Sequence, residues 1–182
     1  MRRRDLCGVL LLMVYLLGVG LVTGPSLYQL LMGRLPEPKL ELIPFSDIIG
    51  VIEHAITHHH GADITLNIFG NIILFVPLGL VLPLFWQYFD RARHTILFAA
   101  GLSLSIELIQ LVAGGVTSVD DLILNTAGAA IGFVLAKLLL RACPRLKPQK
   151  ERGAQWVYPF ACWFMVIVMA TVMDVMTLGM HW

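Results

Sequence analysis

Five apolar stretches, each about long enough to cross a bilayer, dominate this sequence. A transmembrane helix needs about 20 predominantly apolar residues. Hydrophobic residues make up 58% of the 182 residues and charged residues only 14%, whereas a water-soluble domain carries about 25% charged residues. We therefore predict an all-α integral membrane protein, a bundle of about five transmembrane helices. The predicted spans are Leu6 to Val22, Leu66 to Trp86, Thr95 to Ala113, Asp120 to Leu140 and Trp156 to Met180.

The connections between the spans divide the chain into segments. No small-residue cleavage site follows the first apolar stretch, which favours a retained helix over a signal peptide. From Ser46 a short amphipathic pattern predicts an interfacial helix. The predicted segments are the first transmembrane helix (1–33), an extracytoplasmic connection with the interfacial helix (34–65), a helical core (66–140), a basic cytoplasmic loop (141–155) and a C-terminal transmembrane helix (156–182).

Basic residues are distributed unequally between the two sides of the predicted bundle. Eleven lie on one side, and only Arg34 and Lys39 lie on the other. Since Lys and Arg concentrate in cytoplasmic loops, we expect the N-terminus on the cytoplasmic side of the membrane and the C-terminus outside. The eleven are Arg2, Arg3, Arg4, Arg91, Arg93, Lys137, Arg141, Arg145, Lys147, Lys150 and Arg152.

Polar side chains recur inside the three central spans, where a charge near a helix centre costs at least about 2.5–3.5 kcal/mol. They repeat at helical spacing, so each helix has one polar stripe. The predicted orientation puts every stripe in the outer leaflet, and we expect them to surround a small hydrated cavity that binds a ligand. The predicted ligand-binding residues are Asn67, Asn71, Ser103, Glu107, Gln110, Asp120, Asp121 and Asn125.

Three carboxylates in one such cavity are not all expected to be ionised, and Glu107 is the one expected to hold a proton. Arg34 and Lys39 are candidate counter-ions from the first outer connection. Structural explanations stay open for some residues: the two aspartates suit a helix N-terminus, and the amides suit hydrogen bonds between helices. Gly128 and Gly132 form a GxxxG pattern that predicts close helix packing.

Other chemistries have weaker support in the sequence. His54 and His58 have a metal-ligand spacing, but this histidine-rich segment is more typical of a solvated helix end, and no metal site is predicted. The three scattered cysteines predict neither disulfides nor zinc binding. No nucleotide-binding loop or hydrolase motif is present, and we predict no cofactor and no nucleic-acid partner.

Four motifs in order resemble the VanZ-like family. They are LIPF (Leu42 to Phe45), GNIILFVPLG (Gly70 to Gly79), SIELIQ (Ser105 to Gln110) and VDDLILNTAGAAIG (Val119 to Gly132). The resemblance covers about Leu40 to Leu140. It implies a small bacterial inner-membrane protein with a four-helix core, to which the last helix is an addition. The family is named for a protein associated with resistance to the glycopeptide teicoplanin.

The family's shared polar positions correspond to a subset of the predicted cavity. One departure concerns Gly115, where relatives often carry an arginine, which puts phosphate binding through that arginine in doubt here. The corresponding residues are Asn71, Glu107, Gln110, Asp120, Asp121 and Asn125.

Three functions follow as hypotheses. The first is an outward-facing acidic pocket that engages membrane lipids, a lipid-linked cell-wall precursor or the glycopeptide itself. The second is an intramembrane enzyme acting on a lipid, with Glu107 and Asp121 as its acid/base pair. The third is a non-catalytic assembly or transport partner. The sequence predicts no oligomeric state.

Overall fold

The computed structural model describes residues 3–23, 39–45, 49, 62–112, 116–148, 154 and 156–179. Apart from Ile49, the predicted interfacial helix lies outside these residues. The described residues form an all-α membrane bundle, as predicted, with five α-helices. The helices are α1 (Arg3–Thr23), α2 (Ala62–Phe85), α3 (Ala92–Val112), α4 (Val119–Ala142) and α5 (Val157–Gly179).

Four of the described helices are long and apolar enough to cross a membrane. In α5, the apolar stretch Val157–Met169 of the described residues is shorter than a transmembrane span. Helix α2 begins at Ala62, one turn before its predicted start. The protein is therefore a multi-pass membrane protein. The four spans are Arg3–Thr23, Ile68–Phe85, Ala92–Leu111 and Val119–Ala142.

Helices α2 and α4 form the most extensive interface of the bundle. A Cβ added at Gly128 would lie 2.1 Å from the carbonyl oxygen of Ile72, and one added at Gly132 would lie 2.1 Å from that of Val76. Gly79 on α2 meets the α4 backbone equally closely. Gly128 meets Ile72, and Gly132, one turn later, meets Val76, also one turn later. The two helices therefore run in the same direction. Small residues allow this backbone approach.

The other helices pack around this pair. Helix α3 packs against α4 and runs antiparallel to it, while α1 contacts both α2 and α5. Helix α5 is attached through aromatic contacts, with the Phe160 and Trp163 rings centred 5.0 and 5.3 Å from that of Phe98. The core is filled by large buried side chains such as Phe75 and Trp86.

Apart from Lys39, the described basic residues lie at one end of the bundle. The Arg4 guanidinium donates hydrogen bonds of 2.9 Å to the carbonyl oxygens of Leu84 and Lys147. Lys137 forms a salt bridge of 2.5 Å with Asp90. Arg4 therefore joins the end of α2 to the turn that follows α4.

A short parallel strand pair lies at the opposite end. Strand β1 (Lys39–Glu41) pairs with β2 (Val116–Ser118), with Leu40 opposite Thr117. The sequence predicted a connection over 34–65 and no strand at either position. The pair lies at the end where α3 stops and α4 starts, because β2 is the link between them. It ties the first connection to the α3–α4 link.

Candidate functional site

Several of the predicted polar residues lie around the start of α4. Ser118 is the N-cap: its backbone is extended (φ −123°), and its hydroxyl accepts a hydrogen bond of 3.1 Å from the Asp120 N–H. A serine at this position satisfies one of the N–H groups that a helix start leaves unpaired. The cap places Asp120 and Asp121 in the first turn of α4.

Glu107 reaches this cap from α3. Its side chain is only 4% exposed, and Oε2 accepts a hydrogen bond of 2.9 Å from the Ser118 N–H. The Thr117 hydroxyl donates to the Glu107 carbonyl oxygen at 3.0 Å. The Asp121 carboxylate lies close enough to Glu107 to interact with it electrostatically. Two acidic side chains from neighbouring helices therefore lie together at this end of the bundle.

Asn71 adds the second helix to the group. Its Nδ2 donates a hydrogen bond to Oδ1 of Asp121. Both side chains are half-buried, in contrast to the buried Glu107. Asn71, Asp121 and Glu107, which we call the acidic cluster, thus bring together α2, α3 and α4. Asn71 and Asp121 are therefore the more accessible members of the cluster.

A second polar contact lies one helical turn deeper. Asn125 follows Asp121 by four residues on α4, and Ser103 precedes Glu107 by four residues on α3. Asn125 Nδ2 donates to the Ser103 hydroxyl oxygen at 2.9 Å. Ser103 is fully buried and Asn125 is 2% exposed. This contact continues the same α3–α4 polar interface into the bundle.

Asp120 faces the first connection instead. It is 1% exposed, and its Oδ1 accepts a hydrogen bond of 2.5 Å from the Phe45 N–H. Phe45 has φ 67°, a left-handed conformation that non-glycine residues rarely adopt. Asp120 therefore holds a strained turn against the start of α4. Sequence reasoning identified neither Phe45 nor Thr117, since both act through contacts distant in sequence.

Gln110 connects α3 to α1. Its Nε2 donates a hydrogen bond of 2.8 Å to the Thr23 carbonyl oxygen. Thr23 is the last residue of α1, where carbonyl groups have no partner within the helix. This hydrogen bond joins two helices, which is the structural role that the sequence left open for the amide side chains.

Several predicted features fall beyond what the structure describes. Asn67 and Lys39 lie in described elements, but only their backbone is described. Arg34, Gly115 and the histidine-rich segment lie outside the described residues. Within the described part of the chain, no group of three His, Cys, Asp or Glu side chains is arranged to hold a metal ion.

This fold defines the class of the protein, which is a multi-pass α-helical membrane protein with a polar cluster at one end. The sequence model of the VanZ/LLP1 family matches residues 6–140, about three quarters of the chain, and the protein belongs to this VanZ-like family. The match includes α1, which lies outside the motifs noted in the sequence, and it ends before α5. No curated protein and no solved structure matches the chain.

Proposed function

We propose that this VanZ-like protein lowers susceptibility to teicoplanin-type glycopeptides by binding an envelope component at the acidic cluster. The observation that supports this proposal is the hydrogen bond from Asn71 to Asp121 beside the buried Glu107. Polar groups are unfavourable in a membrane span and tend to serve a function when they are kept there. The glycopeptide connection comes from the family.

The distribution of charge supports an outer-leaflet site. Most of the described basic residues, such as Arg4 and Lys137, lie at the end of the helices opposite to the acidic cluster. With the basic end in the cytoplasm, the N-terminus is cytoplasmic and the cluster faces the outer leaflet of the inner membrane. Lipid-linked cell-wall precursors and glycopeptides would meet the cluster from that side.

The chemistry of the cluster indicates what it recognises. Ionised carboxylates are hydrogen-bond acceptors only, while amides both accept and donate. Such a set suits a ligand rich in hydroxyl, amide or ammonium donors. The sugar and peptide parts of a cell-wall precursor and of a glycopeptide both carry such donors. The ligand would be held by these groups and by the apolar surroundings of the outer leaflet.

The test is complementation of a deletion strain with matched variants. Glu107→Gln and Asp121→Asn remove a carboxylate while keeping side-chain size. Thr126→Val is the control, because Thr126 is half-buried on α4 but donates only to its own helix, at Leu122 O. The measurement is the minimum inhibitory concentration of teicoplanin at equal membrane levels of each variant.

We expect the two carboxylate variants to lose most of the protection, at least fourfold in the inhibitory concentration, and Thr126→Val to keep it. Full protection by both carboxylate variants would overturn the role of the acidic cluster. A deletion that leaves teicoplanin susceptibility unchanged would overturn the resistance function as a whole.

A further inference from the structure

Exposed basic side chains share the end of the bundle opposite to the acidic cluster. Arg4 donates to the carbonyl oxygens of Leu84 and Lys147, so it brings together the start of α1, the end of α2 and the turn after α4. The salt bridge between Lys137 and Asp90 joins the α2–α3 link to α4 at the same end. Six basic residues on these segments are exposed, and we call them the basic surface: Arg3, Arg91, Arg93, Arg141, Arg145 and Lys147.

The described carboxylates at this end do not neutralise the basic surface. Asp90 is already paired with Lys137, at 2.5 Å, and Asp5 is only 5% exposed. Among the described residues, the pair of Lys137 and Asp90 is the only salt bridge. The basic surface therefore carries a positive charge that an anionic partner can offset.

Aromatic and apolar side chains beside the basic surface indicate its depth in the membrane. Trp156 is 41% exposed, and its ring is centred 5.7 Å from that of Tyr88 in the α2–α3 link. Tryptophan and tyrosine concentrate where lipid headgroups meet acyl chains. Leu146, between Arg145 and Lys147 in the sequence, is 42% exposed. A mixture of exposed cations, aromatic rings and an apolar side chain suits a lipid better than a soluble anion.

We propose that the basic surface binds the headgroups of anionic phospholipids in the leaflet at this end of the bundle. Five of its six residues are arginines, and guanidinium groups form charge-assisted, often bidentate hydrogen bonds with phosphate. Clusters of basic residues next to membrane spans are attracted to anionic lipids. A zwitterionic headgroup carries an ammonium group that repels the same cations. This surface is separate from the acidic cluster and from the function proposed for that cluster.

The lipid selectivity of the purified full-length chain tests the proposal. The chain is reconstituted in phosphatidylcholine vesicles with a trace of spin-labelled phosphatidylglycerol, phosphatidylethanolamine or phosphatidylcholine. Electron paramagnetic resonance then gives the association constant of each lipid relative to phosphatidylcholine. We expect phosphatidylglycerol to be preferred by about two- to fivefold, and phosphatidylethanolamine to associate like phosphatidylcholine. About 1 M salt shortens the Debye length to about 3 Å and is expected to remove most of the preference.

Matched variants locate the binding surface. Arg91→Gln with Arg145→Gln removes two charges from the basic surface and leaves Arg4, which joins the helices, in place. Arg34→Gln with Lys39→Gln removes two charges from the first connection and is the control. We expect the basic-surface variant to lose about half of the preference for phosphatidylglycerol, and the control to keep all of it.

Folding of each variant is checked by its Tm in phosphatidylcholine alone. If the first variant does not fold, Arg3→Gln with Lys147→Gln replaces it, since these two side chains are exposed as well. Equal association of phosphatidylglycerol and phosphatidylcholine with the unmodified chain would overturn the proposal. An undiminished preference in the folded basic-surface variant, or an equal loss in the control, would also overturn it. Because the vesicles carry the same lipids in both leaflets, the result does not depend on which end is cytoplasmic.

Discussion

Asn71 on α2 donates a hydrogen bond to Asp121 on α4, at the polar end of the closest helix interface in the bundle. The same interface continues as backbone contacts at Gly128 and Gly132. Because these glycines set the separation of the two helices, they also set the distance between the amide and the carboxylate. The packing of the membrane span thus determines the geometry of the acidic cluster.

The glycine contacts predict a steric effect of a single methyl group. In Gly132→Ala, the added Cβ would lie 2.1 Å from the Val76 carbonyl oxygen, a backbone atom that cannot rotate away. Overpacking costs about 1–3 kcal/mol, and each kcal/mol shifts Tm by about 2–4 °C for a chain of this size. We expect Tm to fall by roughly 2–12 °C in a thermal unfolding measurement.

The matched control for this substitution is Gly20→Ala in α1. A Cβ at Gly20 would meet nothing within 4 Å among the described residues. Alanine also favours a helix over glycine by about 1 kcal/mol. Tm should therefore stay the same or rise. Equal losses in Gly20→Ala and Gly132→Ala would contradict the close α2–α4 contact.

The contact between Asp120 and Phe45 predicts a difference between two substitutions of the aspartate. Asp120→Asn keeps an acceptor oxygen for the Phe45 N–H, whereas Asp120→Leu removes it. Phe45 is 51% exposed, so its N–H can exchange with water once this acceptor is lost. We expect the Phe45 amide to lose protection in hydrogen exchange in Asp120→Leu and to retain most of it in Asp120→Asn. Equal protection in both variants would show that Asp120 does not hold this turn.

A third prediction concerns Tyr15, whose hydroxyl donates a hydrogen bond of 2.9 Å to the Leu74 carbonyl oxygen on α2. A hydrogen bond contributes about 0.5–1.5 kcal/mol. Tyr15→Phe should therefore lower Tm by roughly 1–6 °C. An unchanged Tm would indicate that this bond does not join α1 to α2.

The proposed orientation is tested with the native cysteines. Cys143 is exposed in the turn after α4, at the basic end, and Cys162 is buried. In a chain with Cys7→Ser and Cys162→Ser, a membrane-impermeant maleimide should label Cys143 only after the inner membrane is permeabilised. Adding Leu42→Cys at an exposed position near β1 should give labelling from outside. The reverse pattern would contradict a cytoplasmic N-terminus.

The helical part of the fold was predictable because membrane spans are read from length and apolarity alone. The predicted fourth span, Asp120 to Leu140, differs from Val119–Ala142 by one residue at its start and two at its end. Helical spacing also grouped Ser103 with Glu107 and Asp121 with Asn125. These two pairs could be predicted from the rule that residues four apart lie on the same face of a helix.

The strand pair was not predictable from these patterns. Leu40 and Thr117 face each other across segments of three residues that are far apart in sequence. Segments of three residues are too short to show the alternation over 4–8 residues that identifies a strand. The different hydrogen-bond partners of the two aspartates could not be predicted from the sequence either. They depend on the Phe45 N–H reaching Asp120 and the Asn71 amide reaching Asp121. Three-dimensional contacts alone distinguish these two neighbours.

The most direct test of the acidic cluster exchanges Asn71 and Asp121. The single variants Asn71→Asp and Asp121→Asn each lose the amide–carboxylate pair, whereas the double variant restores it with the roles reversed. If the Asp121 carboxylate acts on a ligand together with Glu107, the double variant should recover Tm but not protection against teicoplanin. Protection that follows Tm in all three variants would contradict this account and leave the pair with a structural role only.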